Sequence, residues 1–533
     1  MRNLLFILLA GIAITMSSCR NDFAFEPSTG GLEFSKDTVY LDTVFTNIGS
    51  STYTLKVFNR SDKDISIPKI QLGKGVNSKY RIMVDGMTGD AGAQGKIFSN
   101  VELLAKDSLF IFIEVTSDVA SANPTDFLYT DQIQFSNVTG APQTVDLVTL
   151  IQDAYFIYPQ RTLNTYNSYS YEGINLGLGD DNKPVNVMGS NLDHSDPING
   201  DEFHWKNDKP YVVYGYALVP NNETLNVDPG ARIHFHANSG LIIAKNGVLK
   251  INGEAPTDHK PENLTKEVIF EGDRLEPSFS DVTGQWTAII NYSTSPLNEI
   301  KHLTLKNATV GILSQNLALT SNTTDFPRMN IKDSQIYNCS NFGILARKSI
   351  VTGENLVINT CGQADFAGTF GGTYNFTHCT FNNNWNSSKQ VAVLLNNYID
   401  TDTTRFVSDL TVANFTNCII YGSNQNELYL DNKTEGGTAF NYNFKNCLIK
   451  FNNINNNLDY LPTNTTNFHD CFAANNSSVF NPQFKNLTKN QLQPQTVNSG
   501  VYQKGVLIAS VPNDILGNPR SSLPDLGAYN VAP

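Results

Sequence analysis

The feature that most constrains this fold is a short frame repeated around six internal cysteines. It reads YNCSNFGI at Cys339, NTCGQADF at Cys361, THCTFNNN at Cys379, TNCIIYGS at Cys418, KNCLIKFN at Cys447 and HDCFAANN at Cys471. Successive frames lie 22, 18, 39, 29 and 24 residues apart. A constant core with variable gaps is how a solenoid is written, since its strands stack in register while its turns differ in length. Four of the six frames put a polar residue before the cysteine and an apolar one within two places after it. The six thiols are therefore expected to point inward as small hydrophobes and form one structural ladder. Their even number keeps disulfide pairing open as the competing reading.

At 533 residues the chain exceeds one ordinary core, so several domains or a long repeat array are expected. Charged residues make up only 16% of it and the formal charge is −13. That balance argues against nucleic acid as a partner, because phosphates need a basic stripe.

Arg2 supplies a positive start, and Leu4 to Ile14 is an apolar run of 11 residues. A run that short is a signal-peptide core, since a spanning helix needs roughly 20 apolar residues. It leads into Met16, Ser17, Ser18 and Cys19, which resembles a bacterial lipobox with Met16 where leucine is usual. The resemblance implies a signal peptide over residues 1–18 and a diacylglycerol on the Cys19 thiol. Several acyl chains anchor a protein where one would not. Residues 19–31, broken by Pro27, Gly30 and Gly31, then read as a lipidated tether.

From Leu32 the pattern alternates. Thr38–Phe45, Tyr53–Phe58, Ile65–Ile67, Leu109–Ile113, Gln132–Phe135 and Val145–Leu150 each read as a strand with one buried face. About seven short strands across residues 32–155 is the size of an Ig-like β-sandwich. The stretch FTNIGSSTYTLKVFNRSDKDISIPKIQL also resembles bacterial Ig-like modules. Residues 156–209, rich in Gly, Asn and Asp, are expected to be an irregular connector. Gly179–Asn182 and Asp193–Asp196 read there as turns, although clustered oxygens also suit calcium.

Short strands separated by Gly and Pro fill the rest: Thr224–Val227, Arg232–His236, Ser239–Ile243, Gly247–Gly253 and Glu267–Gly272. This run resembles the opening coils of right-handed parallel β-helix proteins of the pectin-lyase-like superfamily. The likeness continues through Ile300–Ile312 and the cysteine frames. It closes on Asp514–Arg520 and Pro524–Tyr529, which resembles the D-x-x-G-x-P-R…D-[IL]-G-A-Y-E ending of secreted β-helix proteins, with Asn530 in place of Glu. The resemblance implies an all-β chain with a right-handed parallel β-helix over residues 210–533. Asn-rich stretches such as Asn382–Asn384 can then form amide ladders or flexible loops.

That superfamily includes polysaccharide lyases and glycoside hydrolases, so an enzyme on the same scaffold is the alternative reading. The polygalacturonase-like elements do not occur in order. Their nearest fragments are Asn322–Asp325 and Arg328–Lys332, with Asp180 and Asp181 lying before the helix. His234 and His236, two residues apart on a strand, would share an outward side. They are the nearest approach to a metal pair, but no third ligand stands at recognisable spacing, and no metal or cofactor is expected. Trp205, Trp286 and Trp385 could serve as sugar platforms or as core. Thr38, Thr43, Ser108 and Thr403 each follow aspartate, in a sequon resembling that of periplasmic O-glycosylation in Bacteroidota.

The layout resembles outer-membrane surface lipoproteins of Bacteroidota. It implies a non-catalytic structural, adhesive or complex-forming protein anchored in the outer membrane through Cys19 and exposed at the cell surface. An outer-membrane protein complex or a surface glycan is the expected partner.

Overall fold

The computed structural model of the chain describes residues 24–46, 48–116, 126–321, 323–453, 455–460, 464–474 and 479–532. The expected signal peptide and Cys19 lie outside these residues. The chain is all-β and divides into two compact units, residues 1–153 and 154–533.

The first unit has two sheets. One has six strands: Glu26–Pro27, Thr38–Phe45, Ile65–Leu72, Ile97–Leu103, Asp126–Phe135 and Gln143–Gln152. The other has four: Glu33–Phe34, Tyr53–Phe58, Tyr80–Val84 and Ser108–Val115. Alternation sorts their side chains. In Ser108–Val115, Leu109, Ile111, Ile113 and Val115 are buried, while Phe110 and Phe112 face out. The inward residues of both sheets, among them Val57, Ile67, Phe98, Ile111, Ile133 and Val145, share one core. The tether expectation needs correction at its end. Glu26–Pro27 pairs in parallel with Ile65 and Ser66, and Ser28 is buried. Pro27 is tolerated because it sits on an edge strand, where a missing N–H breaks no ladder.

The second unit is built from parallel ladders that the chain visits in turn. Arg232–Phe235 lies in the first ladder, Gly240–Ile243 in the second and Val248–Asn252 in the third. Val268–Gly272 then returns to the first, directly above Arg232–Phe235. The first ladder is an 11-stranded sheet. The second and third merge into an 18-stranded sheet because the long strands Phe342–Glu354 and Ala364–Thr377 each serve both. Repeating this circuit stacks like on like. Ile233, Phe270, Leu305, Ile336, Ile358, Phe381, Ile420 and Ile449 face one interior. Phe376, Phe415, Phe444 and Phe468 form a column with successive centroids 5.2, 4.8 and 4.9 Å apart.

Two further expectations are corrected. Residues 156–209 are not an irregular connector. Tyr155–Ile157 is the first strand of the first ladder, and Pro184–Asn191 and His204–Trp205 pair with strands of the 18-stranded sheet. Trp205 is fully buried and stacks on Tyr211 at 5.2 Å, within the core of the second unit. Its strands are either two or three residues long or, like Gly173–Leu178 and Pro184–Asn191, mostly exposed, so none writes a buried-face period and the stretch reads as loop. Its aspartates cap their own turns: Asp193 accepts the Ser195 N–H, and Asp196 accepts those of Ile198 and Asn199.

The six cysteines do not form one ladder. Cys339 pairs in register with Cys361, each at the end of its strand. Cys379, Cys418, Cys447 and Cys471 each precede a first-ladder strand, one residue before Thr380, Ile419, Leu448 and Phe472. That column continues from Leu356, which precedes Val357. The physical reason is a corner at each end of the strand. Asn338, Thr360, His378, Asn417, Asn446 and Asp470, the residues just before each cysteine, all have φ between 50° and 57°. This left-handed turn favours Asn and Asp and throws the next, small side chain inward. All six thiols are free.

Candidate functional site

The densest ionisable chemistry lies on the outward face of the first ladder. Ile233 and Phe235 fill the interior, so His234 between them points outward. Register places His234 beside Glu271, and Lys306 beside Tyr337. Basic and acidic side chains alternate along the column: His234 Nδ1 is 3.7 Å from Glu271 Oε1, and Lys306 Nζ is 2.7 Å from Glu271 Oε2. Burial opposes ionisation of Glu271, but His234 and Lys306 outweigh it and hold the carboxyl below its usual range. Burial also holds the His234 imidazole below its usual pKa.

A second outward column runs alongside. Thr304 donates its hydroxyl to Glu267 Oε2. Gln335, paired with Thr304 in register, accepts from Asn490 Nδ2 at 3.1 Å and from the Tyr529 hydroxyl at 3.4 Å. Burial pushes the Glu267 carboxyl up to about 7. Arg232 spends its guanidinium on backbone carbonyls, those of Gly230, Glu267 and Leu264.

The roof comes from the end of the chain. After Phe472–Ala473 the chain doubles back over the first ladder. Leu492, Ile515, Leu516, Ala528 and Tyr529 pack on Val357, while Val501 and Leu526 pack on Ile419 and Leu448. The Asp514–Tyr529 motif fastens it. Asp514 accepts the N–H groups of Leu516, Asn518 and Asn530. Buried Arg520 donates to Asn355 Oδ1 at 2.7 Å and to the carbonyls of Gly527 and Ala528.

Glu267 and Glu271 have opposite shifts, the pattern that marks an acid and a base. Both carboxylates are, however, engaged by the next strand, Glu267 by Thr304 and Glu271 by Lys306, so the two columns are arranged to hold strands together.

The remaining expected residues scatter. His236 bonds Asp273 Oδ2 at 2.7 Å and stacks on Tyr214 at 4.3 Å, so the two histidines serve different neighbours. His234 is also buried where an exposed imidazole was expected. Among the described residues no group of three or more His, Cys, Asp or Glu is placed to hold a metal ion. Thr38, Thr43 and Ser108 are half-buried in strands, whereas Thr403 is exposed in the turn between Tyr398–Asp400 and Arg405–Val407. Trp205 and Trp286 belong to the core, and Trp385 is half-buried. Asp325 pairs with Lys245, and Arg328–Lys332 is a third-ladder strand. Of the expected Asn contacts, Asn384 bonds Asn359 at 3.0 Å and Asn414 bonds Asn375 at 3.0 Å. Glu267, Glu271, Lys306 and Tyr337 escaped the sequence reading. Their only signal is their place flanking inward residues, and it is readable once the strands are aligned.

Two buried carboxyls lie apart from this face. Asp365 and Glu427 are both fully buried. Burial, and then the charge of Glu427, raise Asp365, while burial pushes Glu427 up to about 8. An acid whose folded pKa exceeds its unfolded value keeps a proton that the unfolded chain releases. The stability this contributes is full below about pH 4.5 and is lost as pH rises through about 8. The melting temperature of the wild type is expected to fall between pH 6 and pH 9. Glu427→Gln should flatten that fall, gaining up to roughly 4 kcal/mol at the alkaline end. Parallel wild-type and variant curves would contradict the assignment.

The thiols allow a second check. Burial raises Cys361, Cys418 and Cys447 well above the usual thiol range, and five of the six are buried, with Cys471 half-buried. Ellman's reagent should therefore react first with Cys471 in the native protein and reach the other internal thiols only on unfolding. Fewer than six reactive internal thiols in denaturant without reductant would reveal a disulfide.

A scan against protein-family models finds no match, and a search of curated proteins also finds none. Among solved structures, the chain is similar to a family 123 glycoside hydrolase from Clostridium perfringens, at 6% identity and a TM-score of 0.16. That match covers 27% of this chain and 43% of that one. A PapD-like domain of human CEP192 matches at 14% identity and a TM-score of 0.15, covering 26% of this chain and 94% of that one. A protein of unknown function from Porphyromonas gingivalis W83 matches at 14% identity and a TM-score of 0.15, covering 25% and 56%. The chain thus spans less than half of the glycoside hydrolase it matches. At these scores the likenesses support nothing about activity.

Proposed function

We propose that this chain is a lipid-anchored cell-envelope surface protein with a structural, adhesive or complex-forming role. On this reading the first unit is an Ig-like sandwich and the second a right-handed parallel β-helix. Cys19 carries the acyl chains, and the setting is the outer membrane of a Bacteroidota-type cell. The observation that carries it is the outward face of the first ladder. Glu271 is held between His234 and Lys306, and the C-terminal segment covers the neighbouring column. Groups committed to one another favour a scaffold over turnover. The polysaccharide-processing reading would need two carboxylates free to act on one bond, whereas Glu267 and Glu271 are each engaged by the neighbouring strand. Thr403, exposed in its turn, is the best placed of the four residues for a glycan.

Affinity purification of the native protein from detergent-solubilised membranes tests the reading. A stoichiometric partner is expected, with an intact mass beginning at acylated Cys19. Isolation alone, with activity on an acidic polysaccharide, would overturn it.

A further inference from the structure

The hairpin Gly173–Leu178 and Pro184–Asn191 lies on the outward face of the second ladder, where Ile174 packs against Leu218 and Ile242. Beside that contact is a cavity of about 340 Å³, within the size range of small-molecule sites. Leu176 and Leu178 of the hairpin, Leu218 and Ala244 of the ladder strands, and Leu317 of the following loop line it. The loop and the hairpin are tied together at its edge, where Asp180 Oδ1 accepts both the N–H and the hydroxyl of Thr320 at 2.7 Å. The cavity is therefore held between two elements that are themselves joined.

Asn175 and Asn316 also line the cavity, with Asn175 Oδ1 already accepting the Gly177 N–H at 2.9 Å and Asn316 Nδ2 donating to the Asp325 carbonyl at 3.3 Å. Tyr292, Asn221 and Lys245 also line it, and the bonds from the Tyr292 N–H to the Ile243 carbonyl and from the Asn246 N–H to the Asn221 side chain put them on neighbouring turns. Asn221 Oδ1 already accepts the Asn246 N–H at 3.0 Å, which leaves its Nδ2 as a donor. Burial pushes the Tyr292 phenol up to about 12, so it stays a neutral O–H. Lys245 pairs with Asp325 at 3.3 Å across an exposed edge, a type of contact that yields readily to another anion.

We propose that this cavity binds a small aliphatic monocarboxylate, its chain against the leucines and its carboxylate at Lys245, Tyr292 and Asn221. The donors call for an acceptor-rich, negatively charged head. The walls decide the body. They are branched aliphatic side chains, with Tyr292 as the one aromatic, and so suit an alkyl chain better than a sugar ring, which stacks on flat faces. The site is independent of the anchor and of the roofed column.

Calorimetric titration of sodium octanoate into the full chain tests it, with Cys19→Ala in every sample to take the acyl group out of the measurement. Octanoate should bind at one site per chain. Lys245→Met keeps the alkyl stem and should weaken octanoate by about tenfold while leaving octan-1-ol unchanged. Tyr292→Phe should weaken octanoate by about threefold. Both changes leave the fold intact, since Lys245 is exposed and the phenylalanine keeps the ring. Absence of octanoate binding, or equal binding by Lys245→Met, overturns the proposal. Galacturonate displacing octanoate from the site would also overturn it and assign the cavity to an acidic sugar.

Discussion

Phe415→Ala is expected to destabilise the second unit by roughly 3–5 kcal/mol, the cost of opening a large cavity in a packed core. The ring is fully buried between Phe376 and Phe444, at 5.2 and 4.8 Å, with Phe381 at 5.9 Å. Aromatic contacts of this kind add to the area they bury. The loss should also be directional. In a stacked array each coil rests on its neighbours, so stability is close to a sum of coil and interface terms. Removing the ring weakens the interface beneath Phe444 and Phe468, so hydrogen exchange should accelerate across residues 419–473 before it does across 233–312. Phe415→Leu, which refills most of the volume, should recover much of the loss. Uniform acceleration along the whole unit, or a midpoint change below about 1 kcal/mol, would show that the column is not the stabilising element.

Arg520→Met should have a comparable effect at the other key position. The methionine fills similar space but leaves Asn355 Oδ1 and the Gly527 carbonyl without their donor, while the Ala528 carbonyl keeps only the Ile515 N–H. Each buried acceptor left unmade costs about 1–3 kcal/mol, so roughly 2–6 kcal/mol for the two is expected. Asp514 and Asp525 would also lose a neighbouring cation. The effect should be local. The C-terminal segment should release from the first ladder, and limited proteolysis should cut between residues 479 and 532 while the coils stay protected. Arg520→Lys retains the charge but not the planar fork and should fall between the two. A variant that resists proteolysis as the wild type does would mean that the apolar contacts of Tyr529 and Leu492 fasten the segment alone.

Much of this architecture can be read locally. Thr38–Phe45 and Tyr53–Phe58 appear as strands with the bounds the structure has, because one buried face writes its period into the chain. Tyr80–Val84 and Ile97–Leu103 were missed. Residues 156–209 read as loop because their strands are either two or three residues long or, like Pro184–Asn191, mostly exposed, so none carries a buried-face period. The outward column was illegible for a different reason. Glu271 and Lys306 are 35 residues apart, and nothing local says that they meet.

The cysteine frames mark the division. By itself the sequence determined that each cysteine follows a polar corner and points into a packed interior, since a left-handed residue before a small apolar one is a local requirement. It even held the clue to two classes, because Cys339 and Cys361 are the two frames without an apolar residue close behind. Only the tertiary structure decided that these two end their strands while Cys379, Cys418, Cys447 and Cys471 precede theirs. A short strand between two similar corners has the same local pattern at both ends, and register with the neighbouring coils is what tells them apart. The closing motif divides likewise. Its Gly, Pro and Asp residues fix a compact turn, but its position as a roof on the first ladder follows from contacts between residues more than a hundred positions apart.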